Sequence, residues 1–263
     1  MVQQPANPAA DAADVISNAV VRPEASLFVR QILQNALANV AGSLSPPAWV
    51  PDAHALMANV LMNDYLNWWN NAGQAELTAA RNAISQAGDS ALANHARGLI
   101  YRDTGQQNLA LLAFRKARLQ DPGFTRAHAQ FGNQKSALGR EDETQDPLDH
   151  ALNLSPRHPA CGYFYWAKGR GYFQQGDWVN AIKWLQQSVD TLPTVWYNHC
   201  YLATAHNSAG DAATAKQKFQ EFLDLFGKDT LYRIIALLQN PTGPKTVCTA
   251  CKAVHDFLVQ QLP

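Results

Sequence analysis

Charge is scarce in this sequence. Asp, Glu, Lys and Arg together make up only 16% of 263 residues, and 21 acids are matched by 21 bases. A neutral chain lacks the basic footprint of a nucleic-acid binder and has no polybasic membrane anchor, so neither partner is expected. Long apolar runs are missing too. The most conspicuous, Ile234 to Leu238, falls far short of the roughly 20 residues that span a bilayer. Nor does the N-terminus look like a secretory signal. After the terminal amine the first basic residue is Arg22, and Asp11 and Asp14 interrupt the segment that would have to be apolar. A cytoplasmic location is therefore expected. Four cysteines do not make a disulfide framework, which agrees with that expectation. The formal glycosylation acceptor Asn153-Leu154-Ser155 then carries no weight.

Motifs of catalysis are scarce as well. There is no G-x-S-x-G, no P-loop and no H-E-x-x-H. Gly169-Arg170-Gly171 is a fragment of a dinucleotide fingerprint, but no strand precedes it. Asp64, Asp142, Glu143 and Asp146 show no paired placement suited to acid/base work. No enzymatic activity and no cofactor are expected.

What the sequence has is a period. Gly98 and Gly132 are 34 residues apart, as are Gly105 and Gly139, Ala117 and Ala151, Pro122 and Pro156, and Gly176 and Gly210. Gly139 and Gly176 are 37 apart, which is the same period plus a three-residue insertion. The contents repeat along with the spacing. One unit carries Arg97-Gly98, Tyr101, Ala110, Phe114, Ala117 and Pro122; the third carries Lys168-Gly169, Tyr172, Ala181, Leu185, Ser188 and Pro193. Each unit reads as two antiparallel helices. Small residues such as Gly98, Gly132, Gly169, Ala110, Ala181 and Ala215 fall where helices touch, and Tyr101, Phe114, Tyr172 and Phe219 fill the space between them. Gly105, Gly139, Gly176 and Gly210 are placed to end first helices in the left-handed conformation. One such pair cannot bury its apolar face alone, so units must stack.

Period and contents over residues 91–227 resemble the tetratricopeptide repeat (TPR) family. The resemblance implies an all-α fold: a right-handed superhelix of about five helix pairs with capping helices at both ends. The expected organisation is a flexible tail (1–25), an N-terminal capping helix region (26–53), a degenerate unit (54–90), four fuller units (91–124, 125–161, 162–195, 196–227) and C-terminal capping helices (228–263). The runs Asp64-Tyr65-Leu66-Asn67-Trp68-Trp69, Leu154-Ser155-Pro156-Arg157-His158-Pro159, Phe164-Tyr165-Trp166 and the ending Phe257 to Pro263 are also similar to repeat regions that follow the catalytic domain in bacterial, notably rhizobial, adenylate/guanylate cyclases. No cyclase domain fits beside the repeats, so this likeness implies an interaction or regulatory role.

Cys248-x-x-Cys251 with His255 is the one motif that hints at chemistry. It could be a redox pair or part of a zinc site. Against zinc stands the ligand count: structural sites need four, and no second C-x-x-C exists. Cys248 and His255, seven residues apart on a helix, would also lie about 10 Å apart along its axis. The three share a face with Leu258 and Leu262, as a buried stripe does, and no metal site is expected. His128 and His199 stand where the repeat pattern holds Trp, which suits packing. Trp68 and Trp69 read as core more readily than as a contact surface.

The leading expectation is a protein-interaction module, with thiol redox or metal chemistry at the C-x-x-C as the alternative and self-association through the ends of the stack as a third reading. TPR stacks present a concave surface made by the first helix of each unit. In the third full unit Tyr163, Trp166, Arg170 and Phe173 are spaced 3, 4 and 3 apart, so they share one helix face. Equivalent faces carry His95 and Arg102, then Arg126 and Asn133, then Tyr197 and Asn207. These ten residues form the candidate peptide-binding groove, aromatic and mildly basic. An unidentified protein or peptide, acidic or apolar-acidic, is the expected partner. The lysine/asparagine set with which chaperone-binding repeats grip a C-terminal carboxylate is not reproduced, since His95, Ala129 and Trp166 stand where such a lysine would. The competing reading is that the three-residue insertion turns the Tyr163–Phe173 stripe into a neighbouring repeat, as core.

Overall fold

A computed structural model describes residues 23–239 and 249–262. Among the described residues there are twelve α-helices, two short 3-10 turns and no strand. By contact density the chain divides into two units: residues 1–100 with 112–124, and residues 101–111 with 125–263.

The first unit begins with α1 (Pro23–Ala38). This helix starts inside the stretch read as a tail; residues 1–22 of that stretch lie outside the described residues. Proline at the first helical position loses no hydrogen bond, and Glu24 in the first turn suits the positive end of the helix dipole. Val29 and Leu33, both fully buried, face α2 (Val50–Asn67). Buried polar groups lock this contact: Ser26 Oγ donates to Asp64 Oδ1 at 2.5 Å, and Arg30 Nη1 donates to Asp64 Oδ2 at 3.0 Å. From Ala55 to Asp64 every residue of α2 is buried, as in a helix enclosed on all sides. The helix ends where Trp68 turns left-handed (φ 57°), and Asn70 and Asn71 follow at φ 53° and 57°. Trp69 is buried, while Trp68 is half-buried. Next comes α3 (Gln74–Gln86), where the Gly73 N–H donates to the Glu76 carboxylate at 2.8 Å. The unit closes with most of α4 (Ala91–Asp103) and the second half of α5 (Gln107–Gln120). Gly98 lets α5 approach so closely that a Cβ there would lie 2.4 Å from the Phe114 ring.

The second unit holds the end of α4, the start of α5, and α6 (Thr125–Ala137), α7 (Gln145–Leu154), α8 (Cys161–Gln174), α9 (Trp178–Thr191), α10 (Trp196–Ser208), α11 (Ala212–Gln239) and α12 (Thr249–Gln260). Successive helices pack in antiparallel pairs: α6 with α7, α8 with α9, α10 with α11. Small residues set the contact distances. A Cβ on Gly169 would lie 2.6 Å from Leu185 Cγ, and one on Gly162 would lie 2.5 Å from Leu192 Cγ. Ser188 occupies a position where two other units have Ala (Ala117 and Ala151) and donates to the Gly162 carbonyl at 2.7 Å. The first helices end as expected, at Gly105, Gly139, Gly176 and Gly210, with φ between 72° and 86°. Gly227 (φ 77°) breaks α11 into two helical parts. The connection 155–160 between α7 and α8 is longer than 121–124 and 192–195, and it absorbs inserted residues of the 37-residue spacing. In that connection His158 accepts the Ala160 N–H at 3.0 Å and packs its ring against Phe164.

Candidate functional site

The candidate residues of the second unit, joined by Gln130 and Tyr201, come from the same face of three first helices. On α6 they are Arg126, Gln130 and Asn133; on α8, Tyr163, Trp166, Arg170 and Phe173; on α10, Tyr197 and Tyr201. Arg102 joins them from the end of α4. The spacings of four and three recur in each helix, so the stacked helices bring the side chains together.

A line of polar contacts runs across this face. Arg102 Nη1 donates to Gln130 Oε1 at 2.6 Å, and the Tyr163 hydroxyl donates to the same oxygen at 2.8 Å. Asn133 Nδ2 donates to the Tyr163 hydroxyl at 2.8 Å, and Arg170 Nη1 donates to Asn133 Oδ1 at 3.0 Å. Two guanidinium groups thus flank an amide–phenol–amide bridge. Arg126 stands beside the phenols of Tyr163 and Tyr197 and is buried; that burial lowers its pKa to about 10. Burial also pushes the Tyr163 phenol up, against the pull of Arg102 and Arg170. It pushes the Tyr197 phenol up too, helped by Tyr163 and opposed by Arg102 and Arg126. Both phenols are therefore neutral donors at neutral pH. His158 is held at about 4, first by burial and then by Arg126, so it too is uncharged there.

The aromatic part is closed rather than open, which corrects the expectation of a solvent-facing stripe. Trp166 is 8% exposed. Its ring centroid lies 4.7 Å from Tyr197, 5.4 Å from Tyr201 and 5.6 Å from Tyr163, and the Arg170 guanidinium sits 5.5 Å from it. Phe173 packs edge-on against Trp178 and Tyr201 and belongs to the core. The stripe has turned onto the next repeat, as the insertion allowed. Arg102, Tyr163 and Tyr197 stay half-buried, whereas Arg126 and Arg170 are buried. Asn207 is exposed, and none of these contacts involves it. His95 belongs to the first unit, fully buried between Phe114 and Phe124 with Nδ1 2.5 Å from Asn59 Oδ1; its environment is that of a core residue. Gln130, Tyr201 and His158 escaped the sequence reading. Gln130 at least had a signal, since it lies on the Arg126–Asn133 face.

Other candidates gather less. Cys248 lies outside the described residues. Cys251 is buried with its sulfur 3.3 Å from the Tyr201 hydroxyl, and His255 Nδ1 lies 3.1 Å from Asp256. Among the described residues no group of three His, Cys, Asp or Glu is placed to hold a metal. A shallow depression of about 360 Å³ runs past Asp149, Tyr165, Lys183 and Trp184. There Tyr165 stacks on Trp184, Lys168 covers the indole at 4.3 Å, and Lys168 pairs with Asp149, so these groups satisfy one another. Among the described residues no helix is long and apolar enough to cross a membrane.

No protein-family model and no curated protein matches the sequence. Solved structures do resemble the fold. PilF of Pseudomonas aeruginosa superposes with a TM-score of 0.54 at 17% identity, covering 81% of this chain and 90% of that one. A human IFIT1 dimer with m7Gppp-AAAA superposes with a TM-score of 0.63 at 16% identity, covering 90% of this chain and 58% of that one. Both are TPR proteins, and the helix pairs described above have the TPR-type α-solenoid fold. At such identities the likeness speaks for fold alone. The narrower similarity to cyclase-associated repeats rests on the sequence pieces only.

Proposed function

We propose that this chain is a non-enzymatic, protein-binding scaffold that holds an acidic or apolar-acidic segment of a partner against the face of α6, α8 and α10. One observation carries the proposal: three arginines from three different helices gather at two neutral phenols, Arg102 and Arg126 beside both and Arg170 beside Tyr163, where it is held by Asn133. In a chain of zero net charge, that concentrates positive potential at one place. Arg102, Tyr163 and Tyr197, half-buried, supply residue types that dominate binding hot spots.

The occupant is a protein segment rather than nucleic acid. A single-stranded nucleic acid needs free ring faces for its bases. Here the Trp166 ring is packed by Tyr163, Tyr197, Tyr201 and Arg170. The m7Gppp-AAAA ligand belongs to IFIT1 and is not carried over to this chain.

A panel of labelled peptides rich in Asp and Glu, with Lys-rich and neutral panels beside it, tests the proposal. Acidic peptides should bind, and Arg102→Ala should weaken them at least tenfold, which corresponds to about 1.4 kcal/mol. Arg170→Glu should be worse than Arg170→Ala, and the difference should shrink in high salt. Equal binding of all three panels would refute the assignment.

A further inference from the structure

We propose that the group anchoring the bound segment is a phosphate monoester, so that the face selects a phosphorylated serine or threonine over Asp or Glu. This rests on the protein-segment reading above and deepens it. Its first support is the number of guanidinium groups. Three of them gather at one pair of phenols, Arg102 and Arg126 beside both and Arg170 beside Tyr163, whereas one carboxylate supplies a single negative charge and two oxygens. A phosphate monoester supplies −1.5 to −2 charge at neutral pH and three strong acceptor oxygens. Planar guanidinium forks match that geometry bidentately.

Donor supply is the second support. Gln130 Oε1 already takes two hydrogen bonds, from Arg102 and Tyr163, and Asn133 Oδ1 takes one from Arg170. The amides thus hold the Arg102 and Arg170 guanidinium groups and the Tyr163 phenol in place through their own acceptors. The Trp166 indole Nε1–H, more than nine-tenths buried on this face, has no hydrogen-bond partner. A buried N–H without an acceptor is costly, so this face holds a donor that neither amide has used. Tyr163 and Tyr197 cannot become phenolates near neutral pH, because burial holds their pKa values above the usual tyrosine range. They therefore add donors and no negative charge.

The occupied ring faces decide between sources of phosphate. A phosphorylated side chain brings its anion on a slim stem, whereas a nucleotide end brings a base that needs a platform. The test is fluorescence anisotropy with the full chain and three labelled libraries. They have identical random flanks and carry phosphoserine, Glu or Ser at the central position. Phosphoserine should bind at least tenfold tighter than Glu, and millimolar inorganic phosphate should compete. Arg126→Gln should reduce the phosphoserine-over-Glu preference to below threefold. Should that buried substitution unfold the chain by circular dichroism, half-buried Arg102→Gln serves instead, with the same expectation. Equal affinity for the Glu and phosphoserine libraries overturns this inference and leaves the acidic-segment reading standing. Binding of neither library overturns both. Stronger competition from a 5′-triphosphorylated RNA oligonucleotide than from the phosphoserine library also overturns it, by placing a nucleic-acid end in the site.

Discussion

Gly169→Ala tests the packing that positions the site. Gly169 lies on α8 against α9, where a Cβ would sit 2.6 Å from Leu185 Cγ and 3.0 Å from both Leu185 Cδ2 and the Leu185 backbone nitrogen. Non-bonded carbons settle at about 3.5–4.0 Å. Leu185 is fully buried, and its backbone can yield only if α9 moves. Overpacking of this kind costs roughly 1–3 kcal/mol; the backbone contact argues for the upper part of that range. Against it stands the helix propensity of Ala, better than Gly by about 1 kcal/mol. The net expectation is a destabilisation of about 1–2 kcal/mol, or a fall in Tm of about 2–8 °C for a chain of this size. Gly171→Ala, two residues along the same helix, is the control. Its Cβ would meet only side-chain atoms of Gln145 and Thr144, at 2.8 and 3.0 Å. The Gln145 amide end can swing away, so the loss there should be clearly smaller. Thermal melts followed by circular dichroism at 222 nm measure both. A Gly169→Ala protein as stable as the parent, or no less stable than Gly171→Ala, would refute the claim that glycine is required at this helix contact.

Trp166→Ala should lower stability by about 3–5 kcal/mol, the usual cost of deleting a large buried aromatic; a melt within 2 °C of the parent, on the order of 1 kcal/mol, would show that the ring is not enclosed. Glu143 is held at about 2 by hydrogen bonds from Arg140 and then Lys135. Its contribution to stability is therefore complete above the unfolded carboxylate pKa near 4.5 and is lost as pH falls toward 2. Glu143→Gln should flatten the acid limb of a Tm-versus-pH curve between those values, and an unchanged limb would remove this ion cluster from the account. Cys161 and Cys200 have thiol pKa values raised chiefly by burial, so neither should react with Ellman's reagent at pH 8 until the chain is unfolded. Rapid labelling of either in the folded protein, located by peptide mapping, would contradict its burial.

Helix pairs were legible because their signals are local. A glycine that must turn left-handed, a small residue at a close contact and a proline after a helix are all constrained within a few residues. Gly105, Gly139, Gly176 and Gly210 indeed adopt positive φ. The fate of the Tyr163–Phe173 face was harder to read. Periodicity assigns a residue to a face, but what covers that face is set by the next repeat and by how the 155–160 connection tilts it. Tyr197 and Tyr201, large rings one repeat later, closed over Trp166. His95 shows the same limit, since its equivalence to the groove positions said nothing of the Asn59 carbonyl oxygen and the two phenylalanines that enclose it. The Arg102–Gln130–Tyr163–Asn133–Arg170 line was illegible for another reason. Its members come from three repeats, and no spacing within one helix encodes a hydrogen bond between helices.

That line bears on why charged residues lie so deep. Arg126 and Arg170 are more than nine-tenths buried. Removing a charge from water costs several kcal/mol, and well-packed apolar residues of similar volume often stabilise a fold as well or better. Stacking alone would be served by Leu or Met at both places, as it is by Ala127, Phe131, Phe164 and Ala167 elsewhere on the same two helices. Here the cost is gathered on one face, on neighbouring helices, with Asn133 placed to orient Arg170 and Gln130 to orient the half-buried Arg102. An orienting shell of this kind holds donors in a fixed geometry before any ligand arrives, so an arriving oxyanion meets donors that need little reorganisation. Scattered arginines with the same total burial would give the same fold and no such face. It is their convergence, more than their presence, that favours the anion-binding proposal.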